Sequence, residues 1–109
     1  MSEKFTVERR GDGDRQFLDL RGVLDAEQVE HLAQEGFEAI RAGTVVEVRL
    51  GGVTSVDLIG ALGLVALARE AADRAVSFKI EGYPPQLQQL LEEQGLWSEL
   101  VEGGDRSSW

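Results

Sequence analysis

The chain has 109 residues, 20 of them acidic and 11 basic, a formal net charge of -9, and no cysteine. That length suits one ordinary domain burying about two-thirds of the surface its unfolded form would expose. The charge argues against nucleic acid or an anionic membrane surface as a partner, because the few cations would have to gather on one face to overcome it. Without cysteine, disulfides and thiolate metal sites are excluded.

Phe5 to Arg9 alternates apolar and polar residues, and Gln16 to Leu20 resumes the same pattern after Gly11-Asp12-Gly13-Asp14. This predicts a hairpin. Arg9, Arg10 and Arg15 form the one local basic cluster, interleaved with Asp12 and Asp14, and read as a solvated hairpin tip. Met1 to Phe5 contains no apolar run, so a secretory signal is not expected and a cytoplasmic location is.

From Ala26 to Ala42 the residues Val29, Leu32, Ala33, Gly36, Phe37 and Ile40 recur at helical spacing and predict one buried stripe. Asp25 is placed to cap this helix, with Gln28 completing a capping box and Gly43 ending it. Thr44 to Leu50 is rich in β-branched residues and predicts an interior strand covered on its faces, ended by Gly51-Gly52. Leu58 to Ala75 is a second helix, apolar around more than half its circumference and therefore largely buried. Val76 to Glu81 alternates as a strand with Val76, Phe78 and Ile80 on one side.

Pro85 fits the first turn of a third helix that carries Leu87, Leu90 and Leu91 inward and stops at Gly95. A short last helix over Leu96 to Glu102 would bury Leu96, Leu100 and Trp97. Residues 103–109 hold too little apolar content to fold and are expected to fray, leaving 1–102 as the domain. The element order predicts an α/β domain, a mixed four- to five-stranded sheet with four helices, the later strands parallel through right-handed crossovers.

Chemistry is scarce. The single histidine, His31, lies beside the apolar stripe of the first helix and would have to supply a catalytic base unaided. One histidine and no cysteine leave carboxylates alone for a metal, and no calcium-loop pattern continues from Asp12-Gly13-Asp14. Gly51-Gly52 and Gly60-x-x-Gly63 match neither nucleotide fingerprint, so no cofactor is expected and no catalytic residue is assigned.

The most informative stretch is Val53 to Leu64, reading Val-Thr-Ser-Val-Asp-Leu-Ile-Gly-Ala-Leu-Gly-Leu, where a polar strand exit runs into an apolar helix through Asp57. It resembles the Asp-Ser-(Ser/Ala/Thr)-Gly-Leu-Gly loop of STAS domains, the anti-anti-sigma family. Leu20 to Asp25 is similar to the family's Gly-x-Leu-Asp, and Gly82 to Leu96 to its Pro-x-x-x-x-x-Leu-x-x-x-Gly-Leu ending. The resemblance spans about Phe5 to Val101 and implies a STAS-like fold without enzymatic activity. It matches Asp57 and Gly60 to the family's aspartate and glycine, while Leu58 stands where the family has its phosphorylated serine. Thr54 and Ser55 are the nearest hydroxyls, displaced from that place, and are weak substitutes as phosphoacceptors. Asp57 in any case reads as a helix cap.

The implied role is a bacterial regulatory module, an anti-sigma factor antagonist without the usual serine. Its partner would be an anti-sigma kinase-like ATPase, and its docking face Asp25, Thr54, Ser55, Asp57, Leu58, Ile59, Gly60 and Leu62, with Leu58 projecting into solvent. The alternatives are an MlaB-like subunit bracing the ATPase of a lipid ABC transporter, and a domain sensing a nucleotide or lipid. Membrane insertion is not expected; a homodimer through a sheet edge or the Leu58/Ile59 surface is open.

Overall fold

The computed structural model describes residues 4–102. Strands β1 (Thr6–Asp12) and β2 (Arg15–Leu24) form the hairpin and pair antiparallel. A single 3-10 turn (Ala26–Gln28) leads into α1 (Val29–Ala42), followed by β3 (Val45–Val56), α2 (Leu58–Asp73), β4 (Ser77–Glu81), α3 (Pro85–Glu93) and α4 (Trp97–Glu102). The sheet has four strands in the order β1-β2-β3-β4, with β3 parallel to both β2 and β4. This is the expected mixed α/β sheet with four helices. Residues 103–109, expected to fray, lie outside the described residues.

Both crossovers, through α1 and then α2, step in the same direction across the sheet, and right-handed connections of that kind place their helices on one face. Burial agrees with this. Leu18, Leu20 and Leu24 of β2, Val46, Val48 and Leu50 of β3, and Phe78 of β4 are buried at alternate positions, and the register aligns Leu18 with Val48 and Val46 with Phe78. Leu32, Ala39 and Ile40 of α1, Leu64, Leu67, Ala68 and Ala71 of α2, Leu87 and Leu91 of α3, and Leu100 of α4 complete the core from the helix side.

The opposite face of the sheet is open, which corrects the expectation that β3 is covered on both sides. Its residues Glu47 and Arg49 are half-buried beside Phe17 and Asp19 of β2. Phe17 is shielded by guanidinium groups, Arg49 lying 4.6 Å and Arg10 5.6 Å from its ring centroid. Arg49 donates to Glu47 at 2.9 Å and lies 3.7 Å from Glu81, so the face presents paired charges to water.

Gly51-Gly52 does not end β3 either. The strand continues to Val56 through two register shifts, one between the pairs Asp19–Arg49 and Arg21–Gly52 and one between Gly22–Val53 and Val23–Ser55, so that β3 carries an extra residue at each as a bulge. Glycine signalled the irregularity, and pairing with β2 carried the strand past it. The first helix also starts later than expected. Asp25 accepts from the Glu27 N–H at 3.1 Å and caps the 3-10 turn, while Gln28 makes no side-chain cap bond, so the capping box is absent. Phe37, expected on the buried stripe, is 36% exposed, because its helical phase lies past the buried set Leu32, Gly36, Ala39 and Ile40. At the other end of the chain, α4 is fastened to α2 by Arg69, which donates to both carboxylate oxygens of Glu99 at 2.9 and 3.0 Å.

Candidate functional site

The parallel strands β2 and β3 finish together. Leu24 pairs with Val56, so Asp25 and Asp57, the next residue of each strand, leave the sheet side by side at its carboxyl end. Both aspartates are caps, Asp25 of the 3-10 turn and Asp57 of helix α2.

Asp57 holds the helix start on three sides. Its backbone is extended, with φ -99° and ψ 176°, and its Oδ1 accepts from the Gly60 N–H at 2.7 Å. Its own N–H donates to the Leu24 carbonyl at 3.2 Å, and its carbonyl accepts the first helical bond from Ala61 N–H at 2.9 Å. Gly60 is required by what lies beneath it: a Cβ there would stand 2.4 Å from the Leu24 carbonyl oxygen. The aspartate and the glycine are thus two halves of one joint that seats α2 on the end of β2.

Between them, Leu58 and Ile59 occupy the first turn. Ile59 is 49% exposed and Leu58 half-buried, so the apolar side chain presented to solvent is chiefly Ile59, whereas the sequence pointed to Leu58. Leu62, one turn on, is half-buried against the core. Thr54 and Ser55 belong to the end of β3 rather than to a loop; Thr54 is exposed and Ser55 half-buried. The site residues expected from sequence therefore fall on one end of the sheet, at three junctions: Asp25 after β2, Thr54 and Ser55 in the end of β3, and Asp57 through Leu62 in the first turns of α2.

Two supports escaped sequence reasoning. Leu24 supplies the carbonyl against which Asp57 and Gly60 are set. Gln86, at the start of α3, accepts from the Val56 N–H at 3.4 Å through its Oε1 and ties that helix to the end of β3. Neither carries a local signal, since a backbone carbonyl and an exposed glutamine look ordinary in sequence. His31 is exposed and meets the Phe5 ring edge-on at 6.1 Å, a packing contact. Among the described residues, no group of three or more histidines or carboxylates could hold a metal ion, and no helix is long and apolar enough to cross a membrane.

A family model described as Mlab, STAS domain, matches residues 7–102. The chain belongs to the STAS domain family. Solved STAS structures share its fold. The anti-sigma factor antagonist SpoIIAA in its unphosphorylated form superposes with a TM-score of 0.69 at 21% identity, over 86% of this chain and 83% of that one. The phosphorylated form of SpoIIAA, a Bacillus cell fate determinant, gives 0.68 at 21% identity over 85% of each chain. An anti-sigma factor antagonist from Mycobacterium paratuberculosis gives 0.76 at 15% identity, over 93% of this chain and 87% of that one. Comparison with curated proteins gives no match. The joint of Asp57, Gly60 and Leu24 therefore sits at the start of the second helix of a STAS domain, with leucine immediately after the aspartate.

Proposed function

We propose that this STAS domain is a non-enzymatic docking module of the anti-sigma factor antagonist type, engaging a protein partner through the start of α2 and the adjoining strand ends. The observation that carries the reading is the half-exposed Ile59 beside Leu58, held on a helix start that Asp57 and Gly60 fix to the sheet. An apolar side chain displayed at a fixed place is suited to recognition, and covering the exposed half of Ile59 removes water at a gain of about 0.7–1.5 kcal/mol. The carboxylates Asp25 and Asp57, side by side at the same end of the sheet, carry no ion pair among the described residues and favour a partner with cations around an apolar pocket.

Leu58 has no hydroxyl to accept a phosphate. In the proposed role the surface stays apolar and uncharged at that place, and docking is constitutive, with a kinase-like ATPase that sequesters a sigma factor as the partner. Affinity capture from the source cells with wild type, Leu58→Ser, Leu58→Asp and Ile59→Asp tests it. Loss of a specific partner by the two aspartate variants, with retention by Leu58→Ser in ATP-depleted extract where no phosphate can be added, is the expected result. Retention by all four would sink the reading, because a covered apolar contact does not tolerate an unpaired carboxylate.

The description of the matching family model favours one second reading, an MlaB-like subunit that braces the ATPase of a lipid transporter. The same capture separates the two by the ATPase recovered. A transport ATPase with a permease encoded beside it supports bracing, and a histidine-kinase-like ATPase with a sigma factor beside it supports regulation.

A further inference from the structure

β1 is the outer strand of the sheet, and its Glu8 is the one carboxylate on that strand set directly against another acid, Asp19 of β2. Like charges in that position repel. Arg10 relieves Asp19, its Nη2 donating at 3.1 Å, but among the described residues Glu8 has no ion pair. Arg9, its neighbour, points to the helix face, where Glu35 at 3.3 Å and Glu38 at 3.8 Å hold it. The strand therefore offers an unmatched carboxylate and a cation, two residues apart, along the open face of an unpaired edge.

We infer that β1 pairs antiparallel with β1 of a second copy, about a twofold axis through Arg9, so that Glu8 of each copy faces Arg10 of the other. Edge charges commonly guard against such pairing. Here their signs, together with the overlap of all seven strand residues, select a register instead. A twofold axis perpendicular to the sheet keeps the helices of both copies on one side, and then one residue must face itself. Centring on Glu8 opposes two carboxylates, and centring on Arg10 opposes two guanidinium groups. Centring on Arg9 sets Val7 against Gly11, Thr6 against Asp12, and two Glu8–Arg10 pairs on the open face. The two Arg9 side chains stay on the helix face, each engaged by its own Glu35 and Glu38. Two such strands make one continuous eight-stranded sheet. A seven-residue edge buries less than the usual stable interface, so the dimer is weak and concentration-dependent. This association uses the edge opposite β4 and does not depend on the docking role proposed for α2.

Sedimentation equilibrium from micromolar to millimolar protein tests the pairing. Wild type should rise from 11.9 kDa toward twice that mass. Glu8→Arg alone and Arg10→Glu alone should each associate about tenfold more weakly, because attraction becomes repulsion at two positions. An equal mixture of the two should recover association, since each arginine then meets a glutamate across the axis. That recovery also shows that both variants fold. In this cysteine-free chain, Arg9→Cys should cross-link to itself under mild oxidation, directly opposed strand residues lying about 4.5–5.5 Å apart, and Arg10→Cys should not. A wild type that stays monomeric to millimolar concentration, single variants that associate as wild type does, or a mixture no stronger than its components overturns the inference.

Discussion

Gly60 of α2 stands so close to Leu24 of β2 that a Cβ would lie 2.4 Å from the Leu24 carbonyl oxygen. The contact is to backbone that is itself engaged, since the same carbonyl accepts from Asp57 N–H. Gly60→Ala should therefore shift the helix start and cost about 1–3 kcal/mol in urea unfolding. Gly63→Ala is the matched control. Its added methyl meets the Val29 side chain at 3.4 Å, an ordinary contact, and helix propensity favours alanine. Its stability should change by less than about 1 kcal/mol. Equal losses for the two variants would show that the Leu24 contact is not what demands glycine.

Removing the Asp57 carboxylate leaves the Gly60 N–H without its cap, so Asp57→Ala should destabilise by about 1 kcal/mol. Asp57→Asn retains an acceptor oxygen and should lie within a few tenths of a kcal/mol of wild type. A full-sized loss for asparagine in the same unfolding assay would assign the effect to charge at the helix start rather than to the hydrogen bond.

Leu64 of α2 is fully buried among Leu24 of β2, Leu50, Val53 and Val56 of β3, and Leu87 of α3. Leu64→Ala should cost about 2–5 kcal/mol, the range for cavities that close only in part. Near-neutral behaviour in thermal unfolding would mean that the surrounding side chains collapse into the space.

Under the proposed constitutive role, a hydroxyl at the position after Asp57 should be enough to make the domain a phosphate acceptor. With a partner kinase and radiolabelled ATP, Leu58→Ser should incorporate label while wild type does not, and the label should lower partner retention through the charge of about -1.5 to -2 it adds. Labelling of wild type that disappears in Thr54→Ala or Ser55→Ala would reverse the constitutive reading.

Gln86→Ala should remove the side-chain acceptor that the Val56 N–H meets at 3.4 Å and loosen α3 from the end of β3. The expected cost is about 0.5–1.5 kcal/mol. Faster hydrogen exchange at Val56 in this variant, with the core strands unchanged, is the confirming measurement.

The sequence by itself determined the element order, the alternation that marks Val76 to Glu81 as a strand, the largely buried second helix, and Asp57 as its cap. These are local matters of periodicity, capping and propensity, and the chain states them within a few residues. Only the tertiary structure decided that β3 runs through Gly51-Gly52, because pairing with β2 outweighs a local break signal. It also decided that one sheet face stays open, since both crossovers turn the same way, and that Phe37 and Ile59 are exposed rather than buried or subordinate to Leu58. The site divides likewise. Asp57 and Gly60 could be read from spacing, but their common support on the Leu24 carbonyl depends on where β2 ends relative to α2, a long-range contact that no local pattern encodes.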